Sequence, residues 1–313
     1  LTEVHPALAP LPEEPPGAGF EVLGLAPVAR SQWRMIVGRF LRHRLAVASL
    51  VILVVLTAAA FFGGSLARYG FEELTPELSE APSFTHWFGT DSIGHDLFAQ
   101  VLRGARRSIV VALLVAVLST TFGTLVGALA GYYRGWIDAA LMRITDLFLT
   151  IPTLAVLLVV ASRYRGESGN WLAISIIIAA FAWMSLARVV RGVFLSLRER
   201  EFVEAARALG ARDRRIIVRH LIPNALGPII VNATLLVGTA IIIETALSFL
   251  GFGISPPDTS LGRLVASGAP ASQTRPWLFY LPGLYLVLIV LSINFLGDGL
   301  RDAFDPQQRR DRK

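Results

Sequence analysis

Long apolar stretches, interrupted by short charged segments, dominate the chain from residue 45 onward. The clearest lies between Arg44 and Arg68, where 23 successive residues carry no charge. A run of about 20 apolar residues spans a ~30 Å hydrocarbon core at ~1.5 Å per residue. Backbone groups in lipid must bond within their own segment, so such runs are helices. The pattern predicts six spans, at approximately 45–67, 108–133, 139–162, 171–187, 225–251 and 277–297. The third carries Arg143 and Asp146 in its first turns, and the fourth is short, bounded by Asn170 and Arg188. Residues 1–30 are rich in proline, show no apolar periodicity and lack the basic start and apolar stretch of a signal peptide. They read as a flexible tail, and the first apolar run is expected to be retained. The expected organisation is a tail (1–30), a segment with the first span and an external interfacial stretch (31–107), a five-helix core (108–306) and a second tail (307–313).

Composition agrees with an all-α membrane protein: 54% of residues are hydrophobic and only 17% are charged. The chain has no cysteine, which excludes disulfides, thiol catalysis and thiolate metal sites. Its sole lysine is Lys313, so it lacks the lysine that a P-loop uses to reach nucleotide phosphates. Work driven by ATP would need another chain. Orientation follows from the basic residues. Six spans put both termini on one side, and that side holds 21 of the 29 arginines and lysines, against 8 on the other. The bias places both termini in the cytoplasm. It also accounts for the net charge of +6 without invoking nucleic acid.

The longest cytoplasmic connection, 188–224, is charged yet helix-friendly. Phe202, Ala205, Ala206 and Leu209 fall at helical spacing and define one face; Gly210 then suits a turn. A second helical stretch, 212–221, is expected to be closed by Pro223. Two such helices outside the membrane form either a docking surface or a solvated basic loop. Further upstream, Thr90 or Asp91 is expected to cap an amphipathic helix running from Ile93 along the outer interface, with Leu97, Phe98, Val101, Leu102 and Ala105 on its apolar stripe. Gly123, Gly127 and Gly131 recur every four residues, a spacing that lets two helices approach closely in lipid. Glu244, deep in the fifth span, is a costly carboxylate that serves either a pathway or a packing or subunit contact. His43, His86, His95 and His220 show no metal-ligand spacing, and Asp298 and Asp302 fit a solvated helix end better than a catalytic pair. No catalytic constellation is evident.

Several of these stretches resemble the binding-protein-dependent ABC-importer permeases. Glu204-Ala205-Ala206, then Gly210 after three residues, and Pro223 further on, resemble that family's EAA loop, between the fourth and fifth of six spans. His220 and Ile222 stand where the family pattern has isoleucine and leucine. Phe88-Gly89-Thr90-Asp91-Ser92-Ile93-Gly94-His95-Asp96 is similar to the FGTDxxGRD segment of the dipeptide and oligopeptide class, with His95 in place of the usual arginine. Ser248-Phe249-Leu250-Gly251-Phe252-Gly253 after Glu244, and Arg219-His220-Leu221-Ile222-Pro223-Asn224, resemble the same class, so that the likeness extends over about 31–306.

The resemblance implies a type I ABC-importer permease fold in a bacterial inner membrane. Its coupling loop would lie at 199–223, with Glu204, Ala205, Ala206, Leu209 and Gly210 meeting an ATPase. The implied partners are a second permease of the DppB/OppB type, two cytoplasmic ATPases and an extracytoplasmic substrate-binding protein. ATP and Mg would be bound by the ATPases, leaving this chain non-catalytic and without a cofactor. Di- or oligopeptides are the implied substrates, with nickel or a glycoside as alternatives within the family. A stand-alone carrier or channel is the alternative outside it, for which internal repeats, broken helices or several intramembrane charges would be expected.

Overall fold

A computed structural model describes residues 32–304, apart from 66 and 168; both predicted tails lie outside the described residues. All regular structure among these residues is helical, apart from two isolated bridges, Leu74 with His95 and Thr90 with Asp96. A short helix α1 (Gln32–Phe40) leads into α2 (Arg44–Phe62), whose first turn is capped by His43: its Nδ1 accepts from the Ala46 N–H at 3.1 Å. α2 exposes Val51, Val54 and Val55, as an uncharged helix in lipid does.

The second span is the core of α3 (Leu97–Tyr133), a single helix of 37 residues. At about 55 Å it exceeds the ~30 Å hydrocarbon layer, so its first turns stand clear of the bilayer. Its cap is Asp96, whose carboxylate accepts from the Ala99 N–H at 2.9 Å. The expected caps have other duties. Thr90 accepts from the Glu80 N–H, while Asp91 accepts from the N–H groups of Ile93 and His95, which folds 91–95 into a turn instead of a first helical turn. The apolar stripe from Leu97 onward is buried as expected, with Phe98 half-buried, and Arg103, Arg106 and Arg107 lie off it.

The third run is not one straight span. It breaks into α4 (Gly135–Thr150) and α5 (Thr153–Ser162), bent by 77°. Pro152 is the cause. A proline disfavours the helical region for the residue before it, and here Ile151 is extended at φ −78°, ψ 132°. Asp146 of this run, and Asp138 just before it, face α6 (Trp171–Leu197): Asp138 accepts from Arg191 at 2.5 and 2.6 Å, and Asp146 from Arg188 at 2.5 Å. These pairs explain why α6 continues ten residues past its predicted end at 187.

α3 and α6 form the most extensive helix contact in the fold, through the three glycines. A Cβ on Gly123 would lie 2.7 Å from the Trp183 carbonyl oxygen, and one on Gly131 2.6 Å from Phe194 Cβ. Beyond α6, α7 (Glu201–Ala208) and α8 (Asp213–Ile216) form an elbow. Pro223 does not close the second stretch. A π-turn, Ile217–Leu221, runs on into α9 (Ile222–Phe249), with the Ile222 N–H bonded to the Ile217 carbonyl. This widened turn makes room for the proline ring, and Asn224 Nδ2 donates to the His220 carbonyl at 2.6 Å.

After α9, α10 (Leu261–Gly268) wedges among α3, α9 and α11 (Trp277–Phe304). Five of the helical segments are long and apolar enough to cross a membrane, and the bent α4–α5 pair brings the number to six where it is counted as one span. His43 lies 3.5 Å from Asp302, so the start of α2 and the end of α11 share one end of the bundle. The ends of α3 and α6, and the elbow, lie at that end too.

Candidate functional site

The α7–α8 elbow is built by local chemistry. Glu201 and Glu204 occupy the first turn of α7, where carboxylates favour the positive end of the helix dipole. The helix stops at Gly210, whose φ of +76° needs a residue without a side chain. The Ala211 N–H then returns to the Ala206 carbonyl at 3.0 Å. The elbow is seated, not dangling. Val203 and Ala206 are buried in a cluster with Val190, Phe194, Ile216, Leu221 and Ala225.

This seating divides the face predicted for α7. Ala206 points into the cluster, whereas Phe202, Glu204, Ala205 and Leu209 remain exposed, Leu209 at 88%. Gly210 is exposed beside them, with open space around it. The resulting surface is an apolar patch edged by two carboxylates.

Two residues that sequence reasoning missed tie this elbow to the bundle. Tyr132, at the end of α3, donates its hydroxyl to Asp213 Oδ1 at 2.7 Å. Arg198 donates to the Tyr132 carbonyl, and the Arg207 guanidinium lies 5.7 Å from the ring centroid. A buried tyrosine hydroxyl seeks a partner, which is the signal Tyr132 carries, but its partner is 81 positions away. Any displacement of the elbow therefore reaches α3 and α6 directly.

Glu244 lies far from this surface. It is fully buried inside its own chain, accepting from Ser248 Oγ at 2.7 Å and Ser108 Oγ at 3.2 Å. Ser108 in turn accepts from the Leu261 N–H at 3.2 Å, so the cluster pins α10 to α3 and α9. Glu244→Ala leaves two hydroxyls without their acceptor and is expected to cost about 2 kcal/mol, whereas Glu244→Gln keeps one acceptor and stays within about 1 kcal/mol. Unfolding midpoints check this, and loss of transport in a fully stable Glu244→Gln would instead assign the side chain to the pathway.

A second polar knot closes the end opposite the elbow. The buried Asp258 receives Arg103 Nε at 3.0 Å and Arg107, whose guanidinium also lies 4.6 Å from the Trp171 ring centroid. Asp258→Ala strands two cations. An expected loss of about 2–3 kcal/mol, at the low end for broken buried pairs because both arginines keep some water, is checked by thermal unfolding. The histidines are separate: His86 Nδ1 lies 2.8 Å from Asp96, His95 Nδ1 2.9 Å from Asp91, and His43 pairs with Asp302. Asp298 is exposed. Among the described residues no three His, Asp or Glu side chains gather as a metal site would require.

Comparison with known proteins agrees with this architecture. The family described as binding-protein-dependent transport system inner membrane component matches residues 123–310, and the N-terminal TM domain of oligopeptide transport permease C matches residues 31–82. The oligopeptide transport system permease protein OppC of Mycobacterium tuberculosis H37Rv is 45% identical over 280 residues, covering 89% of this chain and 96% of the relative. OppC of Escherichia coli K12 is 40% identical over 283 residues, covering 90% and 93%. A structure of the MetNI methionine ABC transporter in an inward-facing conformation shares the fold, with a TM-score of 0.54 and 22% identity over 67% of this chain and 98% of that one. A helical bundle with five to six apolar spans, an elbow between α6 and α9 and these matches together place the chain in the family of binding-protein-dependent inner-membrane components, as a transmembrane permease subunit of an ABC importer.

Proposed function

We propose that this chain forms half of the translocation path of a di- or oligopeptide importer and is driven through the exposed face of α7. The observation that carries the coupling role is the seated elbow: its inner side is locked to the ends of α3 and α6, while Phe202, Ala205 and Leu209 lie bare on its outer side. The peptide class is supported by relatives at 40–45% identity that bear the name of oligopeptide permeases. The partners are a second permease of the DppB/OppB type, two cytoplasmic ATPases that bind ATP and Mg, and an extracytoplasmic binding protein. Arginine bias supports an elbow and termini facing the cytosol of a bacterial inner membrane.

In this reading ATP closes the ATPases and moves α7 as a rigid lever. The bundle alternates between outward- and inward-facing states because each state binds ATPase and peptide with different affinity. The hydrolysis chemistry belongs to the partners. The test assembles the chain with its partner permease, both ATPases and peptide-loaded binding protein. Peptide-stimulated ATP hydrolysis is expected, falling to the basal level when Glu204→Lys and Gly210→Val are introduced. Peptide uptake by this chain in vesicles containing no ATPase would overturn the reading in favour of a stand-alone carrier.

A further inference from the structure

At the end opposite the elbow lies a cavity of about 640 Å³, within the ~300–1,000 Å³ range of small-ligand pockets. One wall comes from 71–100 and the other from 256–278. The second wall carries two arginines, Arg263 and Arg275, and Arg263 also borders a second cavity of about 390 Å³.

The charge inventory of the larger cavity is unbalanced in a specific way. Asp258 is committed to Arg103 and Arg107. Asp91 is committed to the N–H groups of Ile93 and His95 and to the His95 ring. Glu72 stands exposed to solvent. None of these carboxylates pairs with either wall arginine. Among the described residues, Arg263 has only backbone partners: its Nη1 donates to the Ile254 carbonyl at 3.2 Å and to the Asp258 carbonyl at 3.4 Å. Arg275 donates to Ser79 Oγ at 2.6 Å. A half-buried guanidinium without an acid is an unmet demand; burial alone pushes the Arg263 pKa below its ordinary value. Its remaining N–H groups form a planar fork matched to a carboxylate.

We infer that this cavity is a carboxylate-binding site in which Arg263, assisted by Arg275, receives the free C-terminal carboxylate of a short peptide. The site lies at the end that the arginine bias turns away from the cytosol, where an imported peptide arrives. The inference rests on the peptide reading above and adds to it a chemical requirement: cargo with a free C-terminus is held more tightly than the same cargo capped.

The experiment uses the complete permease–ATPase complex in detergent, without binding protein, and two probes: trialanine and its C-terminal amide. Equilibrium dialysis is expected to show the free acid bound at least about tenfold more tightly than the amide, the effect of one charge-assisted contact. Arg263→Gln and Arg275→Gln should each reduce that preference, and Arg263→Lys should retain part of it. The amide probe leaves the protein untouched, so the comparison stands even if Arg263→Gln disturbs the loop it braces. Equal affinity for acid and amide in the wild type overturns the inference. So does a preference that survives in both glutamine variants. A third contrary result comes from adding the binding protein separately: if Arg263→Gln weakens its docking while the acid preference stays intact, the partner of Arg263 is a protein carboxylate. Peptide uptake by the intact importer is measured in parallel. Intact uptake with no acid preference sinks this inference alone, whereas no uptake of any peptide sinks the peptide reading itself.

Discussion

Leu209→Asp is expected to leave the bundle folded and to remove most peptide-stimulated ATP hydrolysis. Leu209 is 88% exposed, so folding buries little of it and the substitution costs the free chain almost nothing. Under the proposed coupling an ATPase covers the exposed patch it shares with Phe202 and Ala205, and there the outcome differs. An unpaired carboxylate forced into such a contact must be desolvated without a partner, and truncating an apolar anchor already costs 2 kcal/mol or more, roughly a thirtyfold loss of affinity. A matched control lies six residues earlier in the chain. Val203 is fully buried, so Val203→Asp is expected to unseat the elbow and lower stability itself. Copurification of the ATPase and the rate of ATP hydrolysis check the first variant, and thermal unfolding separates it from the second. Full hydrolysis in a Leu209→Asp complex would remove α7 as the point of drive.

Under the proposed coupling, a pull on the elbow reaches the bundle through its ties. The hydroxyl of Tyr132 meets Asp213, Arg198 meets the Tyr132 carbonyl, and both contacts lie where α3 and α6 end together. A pull on α7 thus acts on the two helices that share the tightest interface in the molecule. The Asp138–Arg191 and Asp146–Arg188 pairs bring α4 into the same unit.

Hydropathy alone located α2 and α9 within a few residues, and with them the end of α3 and the start of α11, because an uncharged run long enough to cross lipid has few alternative folds; the charged first turns of α3 and the last turns of α11 lie outside the predicted spans. It missed what depends on single atoms or distant partners. The 139–162 run is continuously apolar at its centre, yet the chain turns extended at Ile151, before Pro152, and the run is split there. Hydropathy ends the fourth span at 187 because arginine reads as loop; the acids of α4, more than 40 positions away, pair with Arg188 and Arg191 on the continuing helix. Pro223 reads as a stop, and the π-turn before it is invisible in the letters. For the candidate site, spacing found α7 and its glycine but assigned Ala206 to the outer face. Val203 and Ala206, three apart, form an apolar stripe as good as Phe202, Ala205 and Leu209, and periodicity cannot say which stripe turns inward. The unpaired state of Arg263 is likewise a property of its surroundings, and nothing in the sequence marks it.

Gly127→Leu is expected to be the most damaging single change in the bundle. A Cβ at Gly127 would run into the Ala187 carbonyl oxygen, with Val190 Cβ at 2.8 Å and the Arg191 nitrogen at 3.0 Å. Gly123 faces the Trp183 carbonyl and Gly131 the Arg191 carbonyl, so each glycine meets the residue sixty positions on. That constant offset means α3 and α6 run parallel and in register over about two turns. Two helices locked in this way cannot yield at one turn without parting at the others, and in lipid their association rests on close packing. Overpacking a helix contact costs about 1–3 kcal/mol, and a leucine here belongs at the top of that range or above it. Because the first obstruction is a backbone oxygen, Ala187→Gly should not rescue the variant. Gly192→Leu on α6 is the control, since nothing lies within 4 Å of its Cβ position. Unfolding in a denaturing-detergent titration is expected to show a large loss for Gly127→Leu and little for Gly192→Leu. The loss should extend to coupling, because separating α3 from α6 also pulls Tyr132 away from the elbow. Wild-type stability in Gly127→Leu, or rescue by Ala187→Gly, would show that the two helices do not meet in this register.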